Sequence, residues 1–136
     1  MRMLFFAAAA ALLLAAPVAA DTAFSSPPQG SPERKAILDA LRPSVELALG
    51  KPVEFVVEEI RQGGGWAFVR VTPQRPGGGA IRNPNEEADG VHAEAVLRLQ
   101  DGRWAVAEHG IGSTDVWWVS WCDRAPKGLL GTWCEG

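Results

Sequence analysis

The sequence predicts an α+β domain in which an N-terminal amphipathic helix packs on a curved, four-stranded antiparallel sheet. Three observations indicate this fold class. Apolar residues recur at helical spacing over 31–49, apolar and polar residues alternate in two later pairs of segments, and two cysteines lie near the C-terminus. Each alternating pair predicts a β-hairpin. A short C-terminal helix and a tail stapled by a disulfide complete the expected architecture.

Residues 1–20 have the pattern of a secretory signal peptide. Arg2 precedes an uninterrupted apolar run over 3–16, and the small residues Ala19 and Ala20 follow it, as a signal peptidase requires. The run is shorter than the ~20 residues of a transmembrane helix, and no basic cluster follows it. A retained anchor is the alternative. We predict a cleaved signal, a periplasmic or secreted protein, and no stable membrane anchor on the mature chain.

The composition limits the classes of partner. The predicted mature chain, residues 21–136, carries 12 Lys and Arg against 16 Asp and Glu, a formal charge of −4. Its size fits one domain. A mildly acidic chain without a basic run argues against binding to nucleic acid and to anionic membrane surfaces. We therefore expect a protein or another cell-envelope component as partner, while the composition leaves the oligomeric state open.

The N-terminal helix follows a polar, proline-bearing segment. Residues 21–30 predict a flexible mature N-terminus with nothing to bury, so the folded domain is expected over 31–136. Ser31 is the predicted N-cap, and Gly50 is placed to end the helix. Pro43 predicts a kink rather than a break, because the apolar stripe continues in phase. The residues of that stripe are Ile37, Leu38, Leu41, Val45 and Leu49.

The first hairpin begins where the period changes to two. Val53, Phe55 and Val57 alternate with charged residues, and the pattern then blurs, as it does at a bulge or in a strand buried on both sides. Glycines 63–65 predict the turn. Residues 66–71 have the composition of the returning strand, so we expect an antiparallel pair here.

A long segment rich in proline and glycine, residues 73–90, separates the two hairpins. Loops of this length are often lids or binding segments, and a tolerated flexible insertion is the alternative. Glycines 77–79 resemble a phosphate cradle, but neither Rossmann spacing nor the lysine and hydroxyl residue of a P-loop accompanies them. Hence we predict no nucleotide site and no cofactor.

The second hairpin has the clearest turn signal. Asp101 and Gly102 lie between two alternating segments, and Asp-Gly is typical of a two-residue turn whose central residues have positive φ. Gln100 is therefore expected opposite Arg103. The same register pairs Leu99 with Trp104, Leu97 with Val106, Ala95 with Glu108, and Glu94 with His109. Glu108 becomes the one titratable group expected to point towards the helix.

Four segments carry a resemblance to known proteins: RKAILDALR, GGWAFVRVTPQRPGG, DGRWAV and GSTDVWW. They resemble segments of small exported bacterial proteins of uncharacterised function, over residues 33–118. The helix-plus-curved-sheet plan is similar to the cystatin-like or nuclear-transport-factor-like roll. Because such rolls include inhibitors, adaptors and enzymes, the resemblance implies a fold and no particular activity. It assigns no catalytic residue.

Cys122 and Cys134 are the only cysteines. Export would place them in an oxidising compartment, so we predict one disulfide. A catalytic thiol paired with His92 or His109 is disfavoured because that compartment would oxidise it. A zinc site using both cysteines and both histidines is equally disfavoured, since the spacing fits no compact ligand pattern.

Three polar residues converge in the predicted register of the second hairpin. Glu94 is expected opposite His109, with His92 two residues along the same strand. A carboxylate and two imidazoles on one sheet face fit a weak site for a divalent metal, or an acid/base cluster. The alternative is a solvated cross-strand charge pair.

The tryptophans are the second candidate site. The chain has six tryptophans and no tyrosine. Trp66 and Trp104 follow hairpin turns and are expected in the core. The adjacent Trp117 and Trp118 cannot share one face, so with Trp121 nearby at least one indole is expected to be partly exposed and to contact a sugar ring or a partner protein. The alternative is that all of them cover the open end of the helix–sheet layer.

The segment that carries these tryptophans follows a turn. Ser113, Thr114 and Asp115 fit a turn and helix cap better than a hydroxyl nucleophile, because no nucleophile-elbow motif surrounds them. Residues 116–122 predict a short helix, with a strand as the alternative.

These observations predict a non-enzymatic secreted or periplasmic module, envelope-associated or partner-binding, that uses Trp117, Trp118 and Trp121. The alternative is a small roll-type hydrolase or isomerase with a pocket between helix and sheet. Titratable side chains pointing into that pocket would favour the enzyme.

Overall fold

The fold is described by a computed structural model that covers residues 11–12 and 23–136. The predicted signal peptide and its cleavage site lie outside these residues, apart from 11–12. The mixed α+β fold class is confirmed. The elements are α1 (Pro32–Leu49), β1 (Glu54–Gly63), β2 (Trp66–Gln74), β3 (Ala93–Gln100), β4 (Arg103–Ile111), a 3₁₀ helix (Trp117–Ser120), α2 (Trp121–Arg124) and a second 3₁₀ helix (Gly131–Cys134).

The ends of α1 are the predicted ones. The Ser31 hydroxyl accepts a hydrogen bond from the Arg34 amide at 3.3 Å and caps the first turn. Gly50 has a φ of 78° and donates its amide to Glu46 O at 2.8 Å, which ends the helix. The helix continues through Pro43 as one element.

The four strands form an open antiparallel sheet in the order β1-β2-β3-β4. Helix α1 packs on one face of this sheet and buries its predicted apolar stripe there, with Leu38 half-buried. This first core consists of Ile37, Leu41, Val45, Leu49, Val53, Ile60, Ala67, Val69, Val71, Ala93, Ala95 and Leu97. No helix among the described residues is long and apolar enough to cross a membrane.

Two bulges alter the sheet register. In β1 the pairing steps from Val57 to Glu59, which leaves Glu58 as an extra residue and confirms the bulge alternative. In the second hairpin the predicted pairs hold from the Asp101–Gly102 turn as far as Leu97 opposite Val106, and the register then shifts by one residue. This second bulge changes which residues of β4 lie opposite Glu94 and Ala95.

Part of the N-terminal segment is attached to the sheet. Ser25 exchanges two backbone hydrogen bonds with Gln62, at 2.9 and 2.8 Å. Pro27 is buried and Phe24 is half-buried, so the expectation that residues 21–30 bury nothing is wrong for these two side chains. A Cβ at Gly63 would lie 2.5 Å from Ala23 O, and this close approach requires glycine.

The start of the predicted long loop is attached to the end of α1. The Arg75 guanidinium donates to Gly50 O at 2.8 Å, Pro52 O at 3.0 Å and Leu49 O at 2.9 Å. Carbonyl groups at a helix C-terminus have no partner within the helix, and Arg75 supplies one. Arg75 therefore links α1, β2 and the chain between α1 and β1.

Replacing Arg75 by alanine is expected to lower the free energy of unfolding by about 2 kcal/mol, because three carbonyl groups lose a charged donor. Urea unfolding measures the change. Arg82→Ala is the matched control, since Arg82 is exposed on the same loop and has no hydrogen bond or ion pair to other described side chains; its effect should stay within about 0.5 kcal/mol. Equal effects of the two variants would contradict the linking role.

Candidate functional site

The sheet face opposite α1 is covered by the C-terminal residues 116–134, which we call the aromatic cap. Its apolar side chains pack on Phe68 of β2 and Val96 of β3. The buried residues of the cap in this second core are Trp121, Ala125, Leu129 and Leu130. All the tryptophans except Trp104 therefore pack on the sheet face opposite α1. The fold has three layers: helix, sheet and cap.

The predicted disulfide is present. Cys122 and Cys134 are bonded, with their Cα atoms 5.6 Å apart. The bond joins α2 to the last 3₁₀ helix and closes the aromatic cap into a loop. The predicted short helix over 116–122 is also confirmed in type, as a 3₁₀ helix that continues into α2.

A chain of edge-to-face aromatic contacts crosses one side of the cap. Phe68 contacts Trp133 with ring centroids 5.6 Å apart, Trp133 contacts Trp118 at 4.8 Å, and Trp118 contacts Trp117 at 6.3 Å. The Trp133 indole also donates to Glu59 Oε2 at 2.8 Å. These contacts hold the half-buried Trp117 and Trp118 in fixed orientations relative to the sheet.

A second aromatic pair lies beside the first chain. Trp66 of β2 and Trp121 of α2 meet edge-to-face at 6.1 Å, and the Trp121 indole donates to Glu108 Oε2 at 3.1 Å. The Arg98 guanidinium carbon lies 4.1 Å from the centre of the Trp66 ring, and that of Arg124 lies 3.9 Å from the centre of the Trp121 ring. Both arginines therefore make cation–π contacts.

The predicted binding tryptophans differ in accessibility. Trp121 is only 6% exposed, so its ring packs inside the molecule. Trp117 and Trp118 are half-buried. Beside them in the chain, Val116 and Val119 are 62% and 54% exposed, although large apolar residues are usually placed inside. The outer surface of the cap is therefore partly apolar.

A polar cluster lies beneath the edge of the cap. Glu94 is the one buried polar or charged residue among those described, at 3% exposure. Its Oε1 atom lies 2.7 Å from His92 Nδ1 and 3.8 Å from Arg70 Nε. Arg70 in turn lies 3.0 Å from Glu58 and stacks over the ring of Trp133 at 5.4 Å. The buried carboxylate therefore has the His92 ring within hydrogen-bond distance and the Arg70 guanidinium nearby, which offsets part of the cost of burying its charge.

Trp117 packs directly against the backbone next to this cluster. Gly110 is the cross-strand partner of Glu94, and a Cβ at Gly110 would lie 2.4 Å from Trp117 Nε1. That indole nitrogen is buried and has no hydrogen-bond partner among the described residues. Gly110 thus provides the space into which the indole fits, and the cap leaves one donor unsatisfied there.

The predicted metal cluster does not form. The bulge places Ala95, not Glu94, opposite His109, so His109 lies on the sheet face opposite to Glu94. His92 and Glu94 do come together. Within residues 11–12 and 23–136 no group of three or more His, Cys, Asp or Glu side chains is placed to hold a metal ion.

The same bulge moves Glu108. Its cross-strand partner is Val96 rather than Ala95, so its carboxylate lies on the cap side and accepts the Trp121 indole. The prediction that Glu108 points towards α1 is therefore wrong. Since Glu94 also lies on the cap side, every described residue that is buried between α1 and the sheet is apolar.

A groove of about 380 Å³ lies where α1 meets the edge strand β1. Leu38, Phe55 and Val57 supply apolar side chains to it. The carboxylate in its lining belongs to Asp39, and a hydrogen bond from Lys35 lowers the pKa of Asp39 below its usual value. An ion-paired carboxylate with a lowered pKa is a weak general acid or base near neutral pH.

Comparison with protein-family models, with curated proteins and with solved structures finds no significant match for this chain.

Proposed function

We propose that the mature protein is an exported, non-enzymatic binding module that contacts a protein or another envelope component through the outer surface of the aromatic cap. The observation that carries this proposal is the exposure of Val116 and Val119 beside the half-buried Trp117 and Trp118. Tryptophan surrounded by apolar side chains is typical of the centre of protein interfaces.

The way in which the cap is held supports a binding role. The disulfide closes residues 122–134, and edge-to-face contacts connect Trp117 through Trp118 and Trp133 to Phe68 in the sheet. Side chains that are already ordered lose less conformational entropy when a partner binds. A rigid, partly apolar surface is therefore better suited to binding than a mobile tail of the same composition.

Two features support export. The pattern of residues 1–20 is that of a signal peptide, and a disulfide persists in an oxidising compartment such as the periplasm or the exterior. The roll-type enzyme is the less favoured function, because the described residues buried between α1 and the sheet are apolar and the carboxylate in the groove beside β1 is ion-paired.

The test compares the mature chain with the double variant Val116→Asp, Val119→Asp in affinity capture from the native envelope. Two charges on an apolar contact surface should lower recovery of the partner at least about tenfold, which corresponds to 1.4 kcal/mol. Because both valines are exposed, the free energy of unfolding should change by no more than about 0.5 kcal/mol.

Leu47→Asp is the matched control, since Leu47 is 90% exposed on α1, on the other side of the sheet. It should leave recovery unchanged. Equal recovery by the wild type and the double variant would contradict the proposal. Alanine at all three of Trp117, Trp118 and Trp121 is a poorer test, because Trp121 is buried and its loss would disrupt the second core.

A further inference from the structure

Arg98 and Arg124 form a ladder with the aromatic pair between them. Arg98 lies directly opposite Trp66 in the β2–β3 register, and Arg124 lies one helical turn after Trp121. Each guanidinium stacks on its indole at about 4 Å, and the two indoles touch edge-to-face. We call Arg98, Trp66, Trp121 and Arg124 the arginine–tryptophan ladder.

The two guanidinium groups carry unneutralised charge. Both arginines are exposed, and neither takes part in any ion pair of the described residues. Neither Asp123, the residue before Arg124, nor Glu108, which receives the Trp121 indole, forms an ion pair with them. Arg103 adds a third positive charge, because its cross-strand partner Gln100 projects to the same sheet face as Arg98. The mature form has a net charge of −4, so its overall charge disfavours an anionic ligand or membrane, and binding of one depends on this local group of cations.

Stacking on an indole prepares these side chains for an anion. A flexible surface arginine loses rotamer freedom when it binds, whereas a guanidinium held on an aromatic face has already lost part of it. Its planar fork donates paired hydrogen bonds to phosphate or carboxylate oxygens. A phosphate monoester carries about 1.5 to 2 negative charges at neutral pH, so each phosphate group attracts a guanidinium more strongly than one carboxylate does. Because the two indoles lie between Arg98 and Arg124, the two guanidinium groups suit a ligand or surface that presents more than one phosphate group.

We propose that the arginine–tryptophan ladder, with Arg103 beside it, is a binding site for phosphate groups. The same chemistry occurs in a soluble phosphate compound and in a phospholipid headgroup, and an exported protein meets both. The site uses different residues from the Val116–Val119 surface, so either one can fail without the other.

The test uses the oxidised mature chain and two probes. Isothermal titration with sodium tripolyphosphate measures binding to a soluble phosphate, and co-sedimentation with phosphatidylglycerol or phosphatidylcholine vesicles measures binding to a headgroup. We expect binding of tripolyphosphate, of phosphatidylglycerol vesicles, or of both, accompanied by a change in tryptophan fluorescence. The double variant Arg98→Gln, Arg124→Gln should bind at least about tenfold more weakly.

Two further variants keep the result interpretable. Arg82→Gln removes one exposed, unstacked arginine and should leave the affinity nearly unchanged. Arg98→Lys keeps the charge and loses the planar fork, so it should weaken binding less than the double glutamine variant does, while leaving the fold intact. Absence of binding to both probes would overturn the proposal. So would an Arg82→Gln variant that binds as weakly as the double ladder variant, since binding would then follow net charge alone.

Discussion

Replacing Phe68 by alanine is expected to lower the free energy of unfolding by about 3 to 5 kcal/mol, the cost of a large cavity in a buried cluster. Phe68 is fully buried and is the central sheet residue of the second core. Its ring contacts Trp133 edge-to-face and receives the Arg61 guanidinium at 5.4 Å. The variant therefore removes one of the two aromatic contacts between the cap and β2, the other being that of Trp66 with Trp121. Urea unfolding measures the loss of stability.

The neighbouring Val69 provides the control for this prediction. It is equally buried but faces α1, in the first core. Val69→Ala should also destabilise the protein, by about 1 to 3 kcal/mol, without changing the near-ultraviolet circular dichroism of the native state. Phe68→Ala should reduce that signal, since Trp133 and Trp118 lose their fixed packing. An unchanged signal in Phe68→Ala would contradict the anchoring role.

The parts of the fold that the sequence predicts well depend on local signals. Ser31 and Gly50 bound α1 as expected, because a cap and a positive-φ glycine act within one turn of the helix. Asp101 and Gly102 have φ values of 51° and 75°, which is the conformation that a two-residue hairpin turn requires. Each of these features is decided by a few adjacent residues.

The bulge in β4 has no such local signal. After Val106 the chain continues with Ala107, and the next two residues, Glu108 and His109, are both polar. A shift of one residue in the pairing register can be recognised from the sequence only where one face of the strand is apolar and the other polar. Since either register places a polar side chain on each face, the sequence alone does not distinguish them. The predicted pairing of Glu94 with His109 failed for this reason.

The sequence of β2 does indicate where the aromatic cap packs. Residues 66–69 of β2 are all apolar, and the strand is buried on both faces there, with Ala67, Phe68 and Val69 inaccessible. A continuous apolar run is typical of a strand covered on both sides, so it indicates a third layer.

The sequence indicates only one half of the arginine–tryptophan ladder. Trp121 and Arg124 are close in sequence, whereas Trp66 and Arg98 meet only through the pairing of β2 with β3.

Removal of the disulfide is expected to have the second large effect. In the double variant Cys122→Ser, Cys134→Ser the free energy of unfolding should fall by about 3 kcal/mol, because the unfolded chain is no longer closed into a loop. The sequence separation of 12 residues sets this estimate on the chain-entropy model. Urea unfolding of the oxidised wild type and the variant measures the difference, and a reducing agent should destabilise the wild type alone.

The position of the disulfide predicts which part of the fold loses stability when the bond is removed. The bond lies wholly within the cap, whereas α1 packs on the other face of the sheet through the first core. In the Cys→Ser variant, amide exchange should therefore rise first over the 3₁₀ helix that contains Trp133 and last in Ile37 and Val69. Partner recovery should fall together with this local protection, since the proposed surface depends on an ordered cap. Uniformly faster exchange in both layers would instead show that cap and helix unfold as one unit.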